Sequence, residues 1–456
     1  MIAGVASAGA LALTVAAGSA TVAVGHLEDN VTRIDISEQV GERPVNYGDL
    51  SEGSVTFLLM GSDQRTGKGN KGYGNFEGAR SDTTMVLHIY PDRESAVVVS
   101  IPRDTIVDLP SCKDTDGRVL PATRDRFNAA FDRGGPGCTV KTVEAMTGMP
   151  VDHFVVLDFN GFKKTIDALG GVEVCLTRPL QDSKSGVDLP AGRTRVSGEE
   201  ALSFVRVRHN IGDGSDISRI NRQQIFLSSL IQEVTGSGLL TDPLRVWRVL
   251  SESSKSIATD KALADSDGLL ALAASVSGLR PKDISFVTLP WLPNADGATI
   301  VADQPKADAI WAALADERPW PPPPTKGVDG EKLTETPDQI LVDVHNASGV
   351  DGQGSRAAQD LASQGFAIGA VNARQKLVGT TTIRYGPDQL EAARTLQAAV
   401  AGSVLREEPD RGTRLDLTLG ETYDGVQEVR VKAPRTGSGV GGNQPSTTAA
   451  QDICTG

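Results

Sequence analysis

Short apolar runs alternate with stretches of helical period over much of the chain. "VTFLLM" (55–60), "TTMVLHIY" (83–90), "SAVVVSIP" (95–102), "HFVVLDF" (153–159) and "GGVEVCL" (170–176) are rich in β-branched residues and bounded by turn formers, which predicts strands. "TVKTVEAMTG" (139–148), "NGFKKTIDALG" (160–170) and the start of "GEEALSFVRVR" (198–208) predict helices. A longer helix is predicted over 216–235, where Ile225, Leu227, Leu230, Ile231 and Val234 are the apolar positions. The alternation predicts an α/β domain over residues 54–316. Pro321–Pro324 then open a stiff, polar linker over 317–338. A smaller α/β domain is predicted over 339–425, from "ILVDVHNAS" (340–348) to "RLDLTLG" (414–420), with helices at 354–365 and 388–402. Residues 426–456 are predicted to be a disordered tail, because Gly, Ser, Thr and Pro dominate its end.

The other end of the chain is apolar throughout. No Asp, Glu, Lys or Arg precedes Glu28, and a bilayer needs about 20 apolar residues in a helix. Residues 1–27 are therefore read as a transmembrane signal anchor, with a cleaved secretory signal and a buried soluble helix as rival readings. No basic segment precedes the run, so the start is expected to lie within a longer product. A polar stalk is predicted over 28–53. The remainder of the chain is then expected on the extracytoplasmic face of the cell membrane, where disulfides persist. Four cysteines are present, Cys112, Cys138, Cys175 and Cys454. Cys112 and Cys138 flank one loop-rich region and are the preferred pair, with four free thiols as the alternative. No Cys/His spacing suits zinc.

Charge narrows the function. A formal net charge of −13 disfavours a nucleic-acid binder, whose footprint is basic. Against that background "VRVRHNIGDGSDISRINRQQ" (205–224) gathers Arg206, Arg208, Arg219 and Arg222. If 204–208 is extended, Arg206 and Arg208 share a side. Arg219, Arg222 and Gln223 share one helix face, and Asp216 is a candidate N-cap. Arginine forks match phosphate oxygens, so a small anionic ligand is implied, against the plain alternative of surface ion pairs.

Upstream, Asp63 ends one predicted strand, and Arg80 and Asp82 open the next. If these strands are antiparallel neighbours, Asp63 and Asp82 face each other and suit Mg²⁺ (or Mn²⁺), against the alternative of two turn caps. Arg103 and Asp104 follow a third strand, at the strand ends where ligands bind in α/β sheets. The set fits a pyrophosphate with bound metal, and charge neutralisation is the main catalytic work on such a group. No phosphate-binding glycine loop suggests a nucleotide.

These motifs resemble a known family. "LLMGSDQR", "ARSDTTMVL", "VSIPRDT", "RFNAAFDRGG", "VDHFVVLDFNGF", "ALGGV", "GEEALSFVRVR" and "DISRINRQQ" stand in the order seen in LytR-CpsA-Psr cell-wall enzymes, over about residues 54–235. "VHNASGVDGQGSRAAQDLASQGF" resembles the C-terminal domain of many actinobacterial members. The resemblance implies a three-layer α-β-α fold with a central mixed sheet and a deep apolar lipid pocket. It implies a membrane-anchored phosphotransferase that moves a glycopolymer phosphate from a polyprenyl-pyrophosphate carrier to peptidoglycan, commonly to the 6-hydroxyl of N-acetylmuramic acid.

By matching motifs, Asp63 and Asp82 take the metal positions. Arg80, Arg103, Arg206, Arg208, Arg219 and Gln223 take phosphate-contacting positions. Arg126 stands where a lysine is commoner, Asp216 matches the acid before the arginine helix, and Arg222 is adjacent to the motif. Arg103, Asp82 and Arg80 are the expected catalytic group, with Asp82 or Asp104 assisting deprotonation. Some relatives pair a cysteine at position 175 with one near "LPAGRTRVSG". This chain has Arg193 and no cysteine there, so Cys175 is expected to be a free thiol. The rival functions are a polyprenyl-pyrophosphate phosphatase or pyrophosphatase at the same site, and a non-catalytic polyprenyl-lipid-binding regulator. The C-terminal domain is read as a binding or spacing module, with His345 structural.

Overall fold

The computed structural model describes residues 29–41, 53–62, 81–176, 178–182, 186–207, 216–236, 242–322, 325–373, 377–431 and 447–450. The expected membrane anchor lies outside these residues, and so do Asp63, Arg80 and Arg208. Among the described residues no helix is long and apolar enough to cross a membrane. The chain divides into two compact units at Pro321/Pro322, close to the predicted linker.

The first unit is built on one eight-stranded mixed sheet. Its strands are β1 (Thr32–Arg33), β2 (Val55–Ser62), β3 (Ser81–Ile89), β4 (Ala96–Ile101), β5 (His153–Asp158), β6 (Ile257–Thr259), β7 (Ile284–Thr288) and β8 (Thr447–Thr448). They lie in the order β1-β6-β5-β2-β3-β4-β7-β8. β2 runs antiparallel to β3, and β3 antiparallel to β4, as neighbouring hairpin strands do.

The near-continuous apolar sequences of β2 and β4 follow from burial on both faces. Leu58, Met60, Val86, Val97 and Val99 face a layer containing the helices Ala129–Thr147 and Gln304–Ala315, through Val140, Val143, Ile310 and Trp311. Phe57, Met85, Val98 and Phe286 face the opposite layer, where Leu227 and Ile231 of the helix Asp216–Gly236 pack. The result is a three-layer α-β-α unit with the sheet at its centre.

A smaller apolar cluster sits to one side. It joins the helices Phe159–Leu169 and Gly198–Arg206 to the hairpin Val172–Leu176 and Gly192–Val196, and Phe226 of the helix Asp216–Gly236 closes it. Asp158 caps the first of these helices by accepting from Gly161 N at 2.7 Å. Ser197 and Glu200 form a capping box on the second. The two helices meet at Gly198, where a Cβ would stand 2.3 Å from the Lys163 carbonyl oxygen.

The second unit has a five-stranded sheet backed by the helices Gln353–Ser363 and Leu390–Ala399. Val342, Val344, Ile383, Leu415 and Leu417 fill its core with Leu361 and Leu396. His345 Nε2 lies 3.3 Å from the Asp416 carboxylate.

Three expectations need correction. The predicted stalk over 28–53 contains folded structure: β1 pairs in parallel with β6, Val31 and Ile36 are buried, and Gln39 donates to the carbonyls of Lys113 and Gly134. The predicted disordered tail contains β8, which pairs antiparallel with β7. Its short polar residues gave no hydrophobic signal, because a two-residue edge strand is held by backbone hydrogen bonds. Cys175 is disulfide-bonded rather than free, through a partner outside the described residues. Cys112 and Cys138 are bonded to each other, with their Cα atoms 5.8 Å apart.

Candidate active site

The site forms at the strand ends where β2 leaves the sheet, β3 enters it and β4 ends. Gly61 pairs with Thr83 and Ser62 with Ser81, so Asp82 is the extra residue of a β-bulge. A bulge re-aims a side chain and frees backbone groups from the ladder. Both effects are used. The Asp82 carboxylate accepts from Arg103 Nη1 at 2.5 Å, and its carbonyl oxygen accepts from Arg219 Nη2 at 2.8 Å.

Arg103 and Asp104 lie in a tight turn after β4. Thr105 N donates to Pro102 O at 3.1 Å, Thr105 Oγ1 donates to the same oxygen at 2.7 Å, and Asn128 N donates to Arg103 O at 3.1 Å. The turn is therefore fixed from both sides. Arg103 Nε lies 3.5 Å from Asp104 Oδ2, and Arg126 Nη1 lies 3.5 Å from Asp104 Oδ1. Asp82, Arg103, Asp104 and Arg126 thus form a chain of alternating charge. Arg103 has a side-chain exposure of 19%, and Arg126 of 47%, so the chain runs from the cleft towards solvent.

The arginine helix (Asp216–Gly236) supplies the opposite wall. Arg219 is buried against the Asp82 carbonyl, and Gln223 Nε2 donates to Thr83 Oγ1 at 2.9 Å. Asp216 is the first residue of this helix, one position inside the N-cap expected of it. Arg222, buried as well, donates to Val207 O at the end of the helix Gly198–Arg206. Arg206 is the last residue of that helix, not part of an extended strand, and its guanidinium stands 4.5 Å from the centroid of the Phe159 ring. This cation–π contact fixes a cation at the helix end where the dipole favours one.

Asp82, Arg103, Asp104, Arg126, Arg219 and Gln223 are therefore brought together. Arg222 ties two helices, and Arg206 stands on Phe159. Sequence reading missed Phe159 and Gln224. Gln224 Nε2 donates to Ser100 Oγ at 3.0 Å and to Thr288 Oγ1 at 3.2 Å, fastening the arginine helix to β4 and β7. A buried amide on the apolar side of a helix was the available signal.

The seam between the sheet and the arginine helix, lined by Asp82, Met85, Ile101, Arg219, Ile220 and Gln223, is closed and leaves no space for a water molecule. The deep apolar lipid pocket that the resemblance implies is not open at this seam, so a lipid chain enters here only if the helix moves off the sheet.

Among the described residues no three His, Cys, Asp or Glu side chains gather to hold a metal. Mg²⁺ needs fewer, because it takes one or two carboxylates and completes its shell with water and phosphate. Asp82 offers one partly exposed carboxylate, and Asp63 follows Ser62, the residue paired with Ser81. Of the two expected ligands, Asp82 alone lies among the described residues.

Fold and site define a three-layer α/β protein with an arginine–carboxylate cluster at its strand ends. The chain belongs to the LytR_cpsA_psr family, whose model matches residues 21–316. Residues 339–423 match the model described as LytR cell envelope-related transcriptional attenuator. The chain is 30% identical to the cell wall biosynthesis protein LcpA of Corynebacterium glutamicum, over 91% of this chain and 84% of that one. It is 31% identical to TagV of Bacillus subtilis, a polyisoprenyl-teichoic acid–peptidoglycan teichoic acid transferase, over 53% of this chain and 58% of TagV. Protein gbs0355 from Streptococcus agalactiae shares the fold, with a TM-score of 0.50 and 19% identity over 60% of this chain and 91% of that one.

Proposed function

We propose that the catalytic unit transfers a glycopolymer phosphate from a polyprenyl-pyrophosphate carrier to peptidoglycan, at the 6-hydroxyl of N-acetylmuramic acid. The observation that carries this reading is the Asp82–Arg103–Asp104–Arg126 charge chain at the strand ends, with Arg219 beside it. Arginine forks held in place by carboxylates suit the oxygens of a pyrophosphate. The family membership and the names of LcpA and TagV support the substrate class.

Arg103, Arg126 and Arg219 bind the pyrophosphate and hold its charge in fixed geometry, and Arg80, Arg206 and Arg208 are the further phosphate contacts that the family resemblance implies. Fixed donors of this kind supply much of the rate in phosphoryl transfer. Gln223 keeps the arginine helix on β3. Asp82 and Asp63 would hold Mg²⁺ or Mn²⁺, which supplies further neutralisation of phosphate charge. The acceptor hydroxyl oxygen forms a bond to the sugar-proximal phosphorus. The bond from that phosphorus to the bridging oxygen breaks, and polyprenyl phosphate leaves. Asp82 or Asp104 accepts the hydroxyl proton. The chain would act at the outer face of the cell membrane, in keeping with its disulfides and the apolar run at 1–27.

Transfer and hydrolysis are separated by the oxygen that attacks. In ¹⁸O-labelled water the saccharide phosphate should reach peptidoglycan without label. Labelled free saccharide phosphate, formed whether or not peptidoglycan is present, would replace the transferase reading with a phosphatase.

A further inference from the structure

The arginine helix crosses the sheet and carries polar contacts to three of its strands and to the residue that follows a fourth. Arg219 and Gln223 reach β3, and Gln224 reaches Ser100 of β4 and Thr288 of β7. The fourth contact is made to a distant segment of the chain. Ser228 Oγ and Gln232 Nε2 donate to the Ala449 carbonyl oxygen at 2.8 and 2.6 Å. Ala449 is fully buried in the apolar layer that also holds Phe286, Leu227 and Ile231. Its own N–H donates to Ile284 O at 3.0 Å, and Thr447 and Thr448 pair with Phe286 and Ser285. The segment therefore covers the open edge of β7 and fastens the far end of the helix with one residue.

Arg219 and Gln223 are four apart and form one row on the helix, and Gln224, Ser228 and Gln232, also four apart, form a second row. From Arg219 to Gln232 the helix runs about 20 Å at 1.5 Å per residue. Three strand spacings cover about 14 Å. Gln224, Leu227 and Ile231 hold the middle of this span to the sheet, and Ser228 and Gln232 extend the hold to its far end, which limits tilt.

We infer that the segment Thr447–Ala449 is a positioning strap: by docking on β7 and on Ser228 and Gln232, it fixes the tilt of the arginine helix and so the placement of Arg219 and Gln223 at the phosphate site. The mechanical part stands on the contacts alone. Its consequence for substrate rests on the transferase reading.

The test uses the full chain with Ala449→Pro, which removes the N–H given to Ile284, and Ser228→Ala/Gln232→Leu, which removes the donors on the helix. Hydrogen exchange of peptides over 216–224 should quicken about three- to tenfold in both, the change expected from one or two lost hydrogen bonds. Undecaprenyl pyrophosphate should bind more weakly by a similar factor, and Gln232→Lys, which still donates, should stay near wild type. Faster exchange confined to residues beyond 228, with unchanged lipid binding, would overturn the inference. Tighter lipid binding in the variants would overturn it too, by showing that the segment holds the cleft shut. If the wild-type chain binds no polyprenyl pyrophosphate, the transferase reading fails, and exchange over 216–224 alone decides the strap.

Discussion

Arg103 holds two carboxylates at once, Asp82 at 2.5 Å and Asp104 at 3.5 Å, from a turn that Thr105 and Asn128 make rigid. Its charge is therefore delivered in a fixed direction with little cost of reorganisation. Arg103→Ala should lower the transfer rate about 10²- to 10³-fold in a steady-state assay while leaving the far-ultraviolet circular dichroism unchanged. Arg103→Lys should recover only part of it, because a point charge cannot bridge two acids as a fork does. A different residue contributes to the loss of stability in acid. His88 is buried, with Nδ1 3.1 Å from Thr56 Oγ1 and its ring edge-on to Tyr90. Burial pushes it down to about 4 from the ordinary 6.5, against a smaller opposing effect of Glu317. Between pH 6.5 and 4 the unfolded chain binds a proton that the folded chain refuses, so this contribution to stability is full above 6.5 and is lost as pH falls towards 4. The loss is on the order of 3 kcal/mol. Thermal midpoints measured over that window should fall more steeply for the wild type than for His88→Asn. At this scale the sequence disclosed residue types and their spacing. It did not disclose that Arg222 would be turned to the Val207 carbonyl, because that depends on where two helices meet.

The elements explain why some features were legible and others were not. β2 and β4 announce themselves because both faces are buried, so their apolar runs are nearly continuous. The β-bulge at Asp82 is silent in the sequence, since it arises only from the register of β2 against β3, yet it aims the side chain on which the site depends. β1 and β8 are equally silent. Each has two residues, and each is held to the sheet by backbone groups rather than by an apolar pattern. The Cys112–Cys138 bond links the strand Cys112–Lys113 to the helix Ala129–Thr147 across 26 residues. A loop of that size is worth about 3 kcal/mol in the chain-entropy account. Cys112→Ser/Cys138→Ser should lower the first melting midpoint of the full chain, as reduction of the wild type should. An unchanged midpoint in calorimetry would show that the bond adds nothing to the packed loop around it.

The whole molecule has two compact units, each with its own apolar core. Calorimetry should resolve two transitions. Leu417→Ala, at a fully buried position in the second unit, should lower only that unit's transition, by roughly 2–5 kcal/mol of stability. A shift of both transitions would show that the units unfold together. The α/β pattern and the Pro321–Pro324 linker made this division legible from the sequence. The return of Thr447–Thr448 to the first unit was not, because it skips a complete domain. The central claim is that the strand-end cluster serves glycopolymer transfer. It is tested most directly by incubating the full chain with a polyprenyl-pyrophosphate-linked saccharide, Mg²⁺ and a peptidoglycan oligomer, and following the saccharide by mass. The account predicts a phosphodiester-linked saccharide–peptidoglycan product that is lost with Arg103→Ala, Asp82→Ala or chelation of the metal. An equal yield of that product from Arg103→Ala and Asp82→Ala would contradict it.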